Sequence, residues 1–214
     1  MTLMKTGRRA KSATLTAVIA AATVAAAVAL LVAAWFVSDV VTTTFAVEVP
    51  YAGPATEIAG LTGSAAPSVA QYGTAVIWSD EALVGPRTLR AVAMALPFVV
   101  FVAACGLVVL LAVRAGARRT FTRAVPVGVA AVGVLSIAVS VVVPWAARLA
   151  DATAVAALGY PTDGATASHW VSPPVFDVLP DGDWVLAAFG VLLLLVATLA
   201  VRAGRLQRDT EGLV

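Results

Sequence analysis

Charge is scarce in this chain of 214 residues: Asp, Glu, Lys and Arg make up 12% of it, against 61% hydrophobic residues. Soluble domains carry about 25% charged and roughly 45–50% apolar residues, so the solvent for most of this chain must be lipid. Cysteine occurs once, as Cys105, which excludes an internal disulfide and a thiolate metal site. His169 is the only histidine and stands beside Trp170 without the second histidine or cysteine that zinc requires. The net charge of +2 provides no basic face for phosphate, so direct nucleic-acid binding is not expected. No ionisable residue falls near the middle of a long apolar run, and such residues are the usual marks of ion paths and proton relays. A coupled pump is disfavoured on that ground.

What the sequence does have is four apolar stretches, at 14–37, 89–113, 125–147 and 184–201. Crossing about 30 Å of hydrocarbon at 1.5 Å per residue takes about 20 residues, so each is long enough to span. The fourth, with Val185, Leu186, Phe189, the run 191–196, Leu199 and Val201, sums to roughly −5 kcal/mol of insertion free energy. The first is mostly alanine, which lets neighbouring backbones approach closely, and is expected inside the bundle. It follows Lys5, Arg8, Arg9 and Lys11 like a secretory signal. Its length, about twice a typical signal core of 7–15 residues, reads instead as an uncleaved anchor.

Arginine and lysine set the orientation, because basic segments resist translocation. They cluster before the first span, between the second and third (Arg114, Arg118, Arg119, Arg123), and after the fourth (Arg202, Arg205, Arg208). The other two connections hold most of the acids, among them Glu48, Glu57, Asp80, Glu81, Asp151, Asp163, Asp177, Asp181 and Asp183. The expected order is a basic cytoplasmic tail at 1–13, spans at 14–41, 88–113, 125–150 and 183–202, and a basic cytoplasmic loop at 114–124. Extracytoplasmic loops occupy 42–87 and 151–182, and a cytoplasmic tail closes the chain at 203–214. The expectation is a multi-pass protein of the bacterial plasma membrane with both termini in the cytoplasm.

Both outer loops are too long for simple turns. Residues 42–49 and 69–78 are rich in Thr, Val and aromatic residues, and Pro50, Gly53, Pro54, Gly60, Gly63 and Pro67 punctuate between them, a pattern of strands bounded by turns. Residues 169–171 and 175–178 are expected to add short strands, interrupted by Pro173 and Pro174. The fold class is therefore an all-α membrane protein, a four-helix transmembrane bundle with a small β-rich extracytoplasmic cap built from the two outer loops.

Few residues within this frame invite chemistry. Thr16, Thr23, Ser136, Ser140 and Thr198 can bond a carbonyl one turn back. Pro97 and Pro144 each remove a helix hydrogen bond near a helix end, where an interfacial bend is the simpler reading than a gate, and Trp145 fits an aromatic anchor at the headgroups. Asp39, Arg90 and Arg148 fall at the outer ends of different helices and form a candidate ion pair, or else snorkel separately to water. Cys105 lies mid-span, where low dielectric disfavours the thiolate, and reads as a packing residue. Asp177, Asp181, Gly182 and Asp183 lack the spacing and distal glutamate of a calcium loop; they fit a turn, with Asp183 at the start of the last helix. No metal and no cofactor is expected. The cytoplasmic arginines would attract anionic headgroups, which topology alone already explains.

The chain closes on Arg202-Ala-Gly-Arg-Leu-Gln-Arg-Asp-Thr-Glu-Gly-Leu-Val214 directly after the last span. This ending resembles that of an uncharacterised family of bacterial four-span membrane proteins, domain of unknown function 2975, through Gly204, Leu206, Asp209, Leu213 and Val214. Residues 116–123, with Phe121 and Thr122, are similar to that family's cytoplasmic connection. The resemblance implies a four-span frame and a partner in the cytoplasm, such as a small helix-turn-helix regulator. It makes the five tail residues the candidate contacts for that regulator or another cytoplasmic protein.

The expectation is a non-enzymatic membrane protein that contacts the lipid bilayer along its spans, senses or binds through its outer cap, and meets a partner through its tail. The alternative is a small transporter or channel component, motivated by Pro97, Pro144 and the serines of the third span. An enzyme is not expected, because the cytoplasmic face offers no nucleophile and base pair and the outer face only scattered carboxylates. Nothing in the sequence fixes an oligomeric state.

Overall fold

The structure is a computed structural model that describes residues 2–54, 69–116, 124–162 and 170–211. Four long helices dominate: α1 (Thr2–Thr42), α2 (Val84–Gly116), α3 (Ala124–Ala157) and α5 (Trp184–Glu211). A four-residue helix, α4 (Val178–Asp181), and three strands, β1 (Phe45–Pro54), β2 (Val69–Ser79) and β3 (Trp170–Val171), complete the described elements. Each long helix contains a segment apolar enough to cross a membrane, of 30, 32, 34 and 21 residues in chain order. The chain is an integral membrane protein with four candidate spans, and those helices contact lipid.

The chain divides into two compact units. The first comprises Met1–Trp35, Ala95–Val142 and Asp183–Val214; the second comprises Phe36–Met94 and Val143–Gly182. Helices α1, α2 and α3 run unbroken through the unit boundaries.

Within the first unit the sequence expectation for α1 is corrected. Only 6% of its most apolar window is buried, against 33% for α3, and Val24, Val28, Leu30 and Leu31 are exposed. Its branched side chains face outward, while α3 holds the interior through Val129, Val132, Ser136 and Val139. Glycine lets α3 and α5 approach closely. A Cβ on Gly190 would lie 2.6 Å from the Gly133 carbonyl oxygen, and one on Gly133 would lie 2.8 Å from the Gly190 carbonyl, so neither position has room for a side chain. Pro144 adds a second tie. It cannot donate to the carbonyl of Ser140 four residues back, and that carbonyl accepts the main-chain N–H of Asp183 at 3.1 Å. Asp183 in turn caps α5, its Oδ1 accepting the N–H of Leu186 at 3.0 Å. The hydroxyls of Thr23, Ser136, Ser140 and Thr198 donate to carbonyls three or four residues back, as expected of polar groups in lipid.

In the second unit the strands form one antiparallel sheet in the order β2-β1-β3, so both long loops contribute to it. β1 alternates: Phe45, Val47 and Val49 are buried, while Glu48 is exposed. The buried face joins Ile77, Leu83, Ala154, Val155 and Val171 in a single core cluster. Each fully buried valine there contributes about 1.5–3 kcal/mol. Pro50 sits in the central strand without breaking it. Its carbonyl accepts from Ser172 N–H at 2.9 Å, so its missing N–H faces the side where β3 is only two residues long and no full ladder is needed. Beyond the end of α3 the chain turns at Gly159, whose φ of +69° favours glycine.

Two strand expectations are corrected. The first strand begins at Phe45 rather than 42, because Thr42 still belongs to α1. Residues 175–178 form no strand, since Asp177 caps α4 by accepting Leu179 N–H at 3.0 Å and turns the chain into a helix at Val178.

Candidate functional site

The polar residues of the second unit gather on the first turns of α2 and the last turns of α3. Arg87 and Arg90 are three residues apart and share one face of α2. Arg87 is buried, with 9% of its surface exposed. The C-terminal carbonyls of a helix lack intrahelical partners, and the last turn of α1 has no basic residue of its own. Arg87 fills that role from another helix. Its Nη1 donates to the carbonyls of Val40 (2.9 Å), Val41 (3.3 Å) and Thr43 (2.6 Å), and its Nη2 to that of Glu81 (3.2 Å). Its Nε has no partner among the described residues. The guanidinium is therefore compensated by carbonyl dipoles at the negative end of α1 rather than by a carboxylate.

Phe45 stands between the two arginines. Its ring centroid lies 5.7 Å from Cζ of Arg87 and 5.0 Å from Cζ of Arg90, within the range where each cation is attracted by about 0.5–2 kcal/mol. Arg90 then links sheet to helix: Nη1 donates to the Ala46 carbonyl at 3.1 Å, on the open edge of β1, and Nη2 pairs with Oδ1 of Asp151. Asp151 is buried on α3. One turn earlier on the same helix Arg148 holds Asp181 through two bonds, Nη2 to Oδ1 at 2.7 Å and Nε to Oδ2 at 3.3 Å. Asp181 also accepts the Asp177 N–H at 3.1 Å, which closes the α4 turn. The hydrogen bonds from Arg148, and then that from Asp177, hold the Asp181 carboxyl below the usual carboxylate range.

Beside Arg87 an open depression of about 680 Å³ is lined by Thr42, Thr43, Thr44, Asp80 and Glu81, among others. Thr42 and Thr43 spend their hydroxyl protons on the carbonyls of Ser38 and Asp39, so the wall facing this space is chiefly acceptor in character. Among the described residues no three His, Cys, Asp or Glu side chains come together as metal ligands.

Of the candidate outer ion pair, Arg90 and Arg148 are both paired, but with Asp151 and Asp181 and not with Asp39. Asp39 is exposed on the last turns of α1, where its main-chain carbonyl takes the N–H and hydroxyl of Thr43. The sequence reading missed Arg87 and Phe45 altogether, although the Arg87 and Arg90 spacing at the head of an apolar run was a usable signal. Gly204, Leu206 and Asp209 of the candidate tail contacts fall within the last turns of α5. Leu213, Val214, His169 and the connection with Arg118, Arg119, Phe121, Thr122 and Arg123 lie outside the described residues. Compared with family models, with curated proteins and with solved structures, the chain matches none.

Proposed function

We propose that this chain is a non-enzymatic regulatory protein of the bacterial plasma membrane, with both termini in the cytoplasm. The second unit is its extracytoplasmic sensing head, and the end of α5 is its contact with a soluble cytoplasmic partner. One observation carries the reading. Inside the first unit the candidate spans contribute residues 13–35, 95–115, 124–142 and 184–204, each close to the roughly 20 residues that cross a bilayer. The remainder of α1, α2 and α3 belongs to the second unit, and the ion pairs of that unit lie outside these segments, which supports reading it as a head in water. A ligand that shifts the packing of the head acts on the same three continuous helices that cross the membrane. The acids of the two outer loops and the basic inner segments favour the stated orientation. The resemblance of the tail to the uncharacterised four-span family supports the choice of α5 as the contact, with a small helix-turn-helix regulator as its first candidate partner.

The test is in-cell crosslinking from a photoreactive residue at Leu206 or Leu213, followed by mass spectrometry of the captured species. The expected result is one dominant soluble protein. Capture of lipid alone would overturn the partner reading and return weight to a transport component.

A further inference from the structure

We propose that the segment from Val175 to Leu179, which precedes the last span, is an interfacial foot that inserts its apolar side chains into the outer leaflet, with the phospholipid bilayer as its occupant. Outside the long helices a run of exposed apolar residues is unexpected in a water-facing loop, yet here Val175 is 82% exposed, Val178 43% and Leu179 76%. Single exposed apolar residues are ordinary; three within five positions form a patch. Two constraints set its depth. Along the chain, Asp181 is three residues from Trp184, a reach of at most about 11 Å. Trp184 opens the span of α5 and is itself 54% exposed, as an aromatic at the headgroup level would be. Laterally, the Asp181 carboxylate is held by Arg148, which lies one turn, about 4.5 Å, from the exposed Trp145 on α3. The segment is thus tethered at one end to two interfacial tryptophans.

The chemistry of the turn suits that depth. Asp177 and Asp181 satisfy the N–H groups of Leu179 and Asp177, which lowers the cost of taking the turn out of water, and the side chains of Val175, Val178 and Leu179 are exposed. The inference concerns the bilayer alone and stands whether or not the tail recruits a partner.

The experiment replaces Cys105 by alanine and introduces a single cysteine as Leu179→Cys or, separately, Val175→Cys. Each is labelled with an environment-sensitive fluorophore and the full chain is reconstituted in vesicles of phosphatidylethanolamine and phosphatidylglycerol. The expected result at both positions is blue-shifted emission, quenched more strongly by a nitroxide on the upper acyl chain than by a nickel chelate in water. Emission at the wavelength of the free dye in water, with quenching by the nickel chelate alone, would overturn the proposal. Both sites are exposed, so neither label disturbs the core, and an Asp80→Cys label gives the water-exposed reference.

Discussion

Replacing Gly190 by alanine should loosen the bundle, even though alanine is the better helix former. A Cβ at this position would lie 2.6 Å from the Gly133 carbonyl oxygen, 2.6 Å from Ile137 Cγ1 and 3.1 Å from the Ile137 nitrogen. Carbon atoms normally rest about 3.5–4.0 Å from their neighbours, so α3 and α5 would have to part by most of about 1 Å. Two of the three obstructing atoms are main chain and cannot rotate aside. Over-packing of this kind costs about 1–3 kcal/mol, and the gain in helix propensity returns at most about 1 kcal/mol. With that gain taken in full, a net loss of up to about 2 kcal/mol is expected. Gly106 provides the control, because a Cβ there meets nothing within 4 Å and only the propensity gain remains. Gly106→Ala should therefore stabilise by up to about 1 kcal/mol, and because that gain is common to both variants they should differ by the over-packing cost of about 1–3 kcal/mol. Reversible unfolding of the purified protein in mixed micelles by sodium dodecyl sulfate, followed by circular dichroism, reads the difference. Equal stability of the two variants would mean that α3 and α5 do not meet at Gly133 and Gly190.

Arg87→Met should expose the carbonyls of Val40, Val41 and Thr43, at about 1 kcal/mol for each one left without a donor, and hydrogen exchange at residues 43–45 should accelerate more than elsewhere in the second unit. Asp151→Asn leaves the Arg90 charge without its partner and should destabilise by about 3 kcal/mol, whereas Arg90→Met with Asp151→Leu should recover most of that loss in the same unfolding assay. Asp181 has a folded pKa below its ordinary value of 3.8, so its contribution is complete above that value and disappears as pH falls through the lowered one. An acid titration of stability should accordingly stay level from neutral pH to the carboxylate range and fall only below it, and Asp181→Asn should remove that acid limb.

The helical frame was legible because lipid imposes a single rule: about 20 apolar residues with every main-chain group bonded internally. The sheet was legible in β1 and β2 because Val, Thr and aromatic residues alternate there between turn-forming Gly and Pro. Interior position was not. Alanine content marked α1 as the inner helix, but burial depends on which helices can approach, and Gly133 opposite Gly190 decides that for α3 and α5. Nor could the sequence pair its charges. Asp39, Arg90 and Arg148 share a depth, whereas pairing depends on rotation about each helix axis, and that is set by contacts between residues distant in sequence. Arg90 reaches Asp151 across 61 positions and Arg148 reaches Asp181 across 33. The 175–178 segment misled for a local reason, since its Val and Phe content suits a strand while Asp177 supplies the cap that starts a helix.

The excess length of three helices gives those charges their place. α1, α2 and α3 carry candidate spans of 30, 32 and 34 residues where about 20 suffice, and α5 carries 21. An overhanging helix turn has no lipid to bury its apolar side, so it must find protein. On α3 that side is Ala150, Ala154 and Val155, all fully buried, the last two in one cluster with β1. The second unit thus contains the continuations of α1, α2 and α3. Arg87, Arg90, Arg148 and Asp151 all fall in the parts of α2 and α3 that belong to the second unit. α5 has no overhang at its start because Asp183 caps it there and donates its own N–H to the carbonyl that Pro144 leaves open. The loop that precedes α5 therefore leads directly into a candidate span, and under the proposed bilayer insertion exposed Val175 and Leu179 are least costly at its entrance.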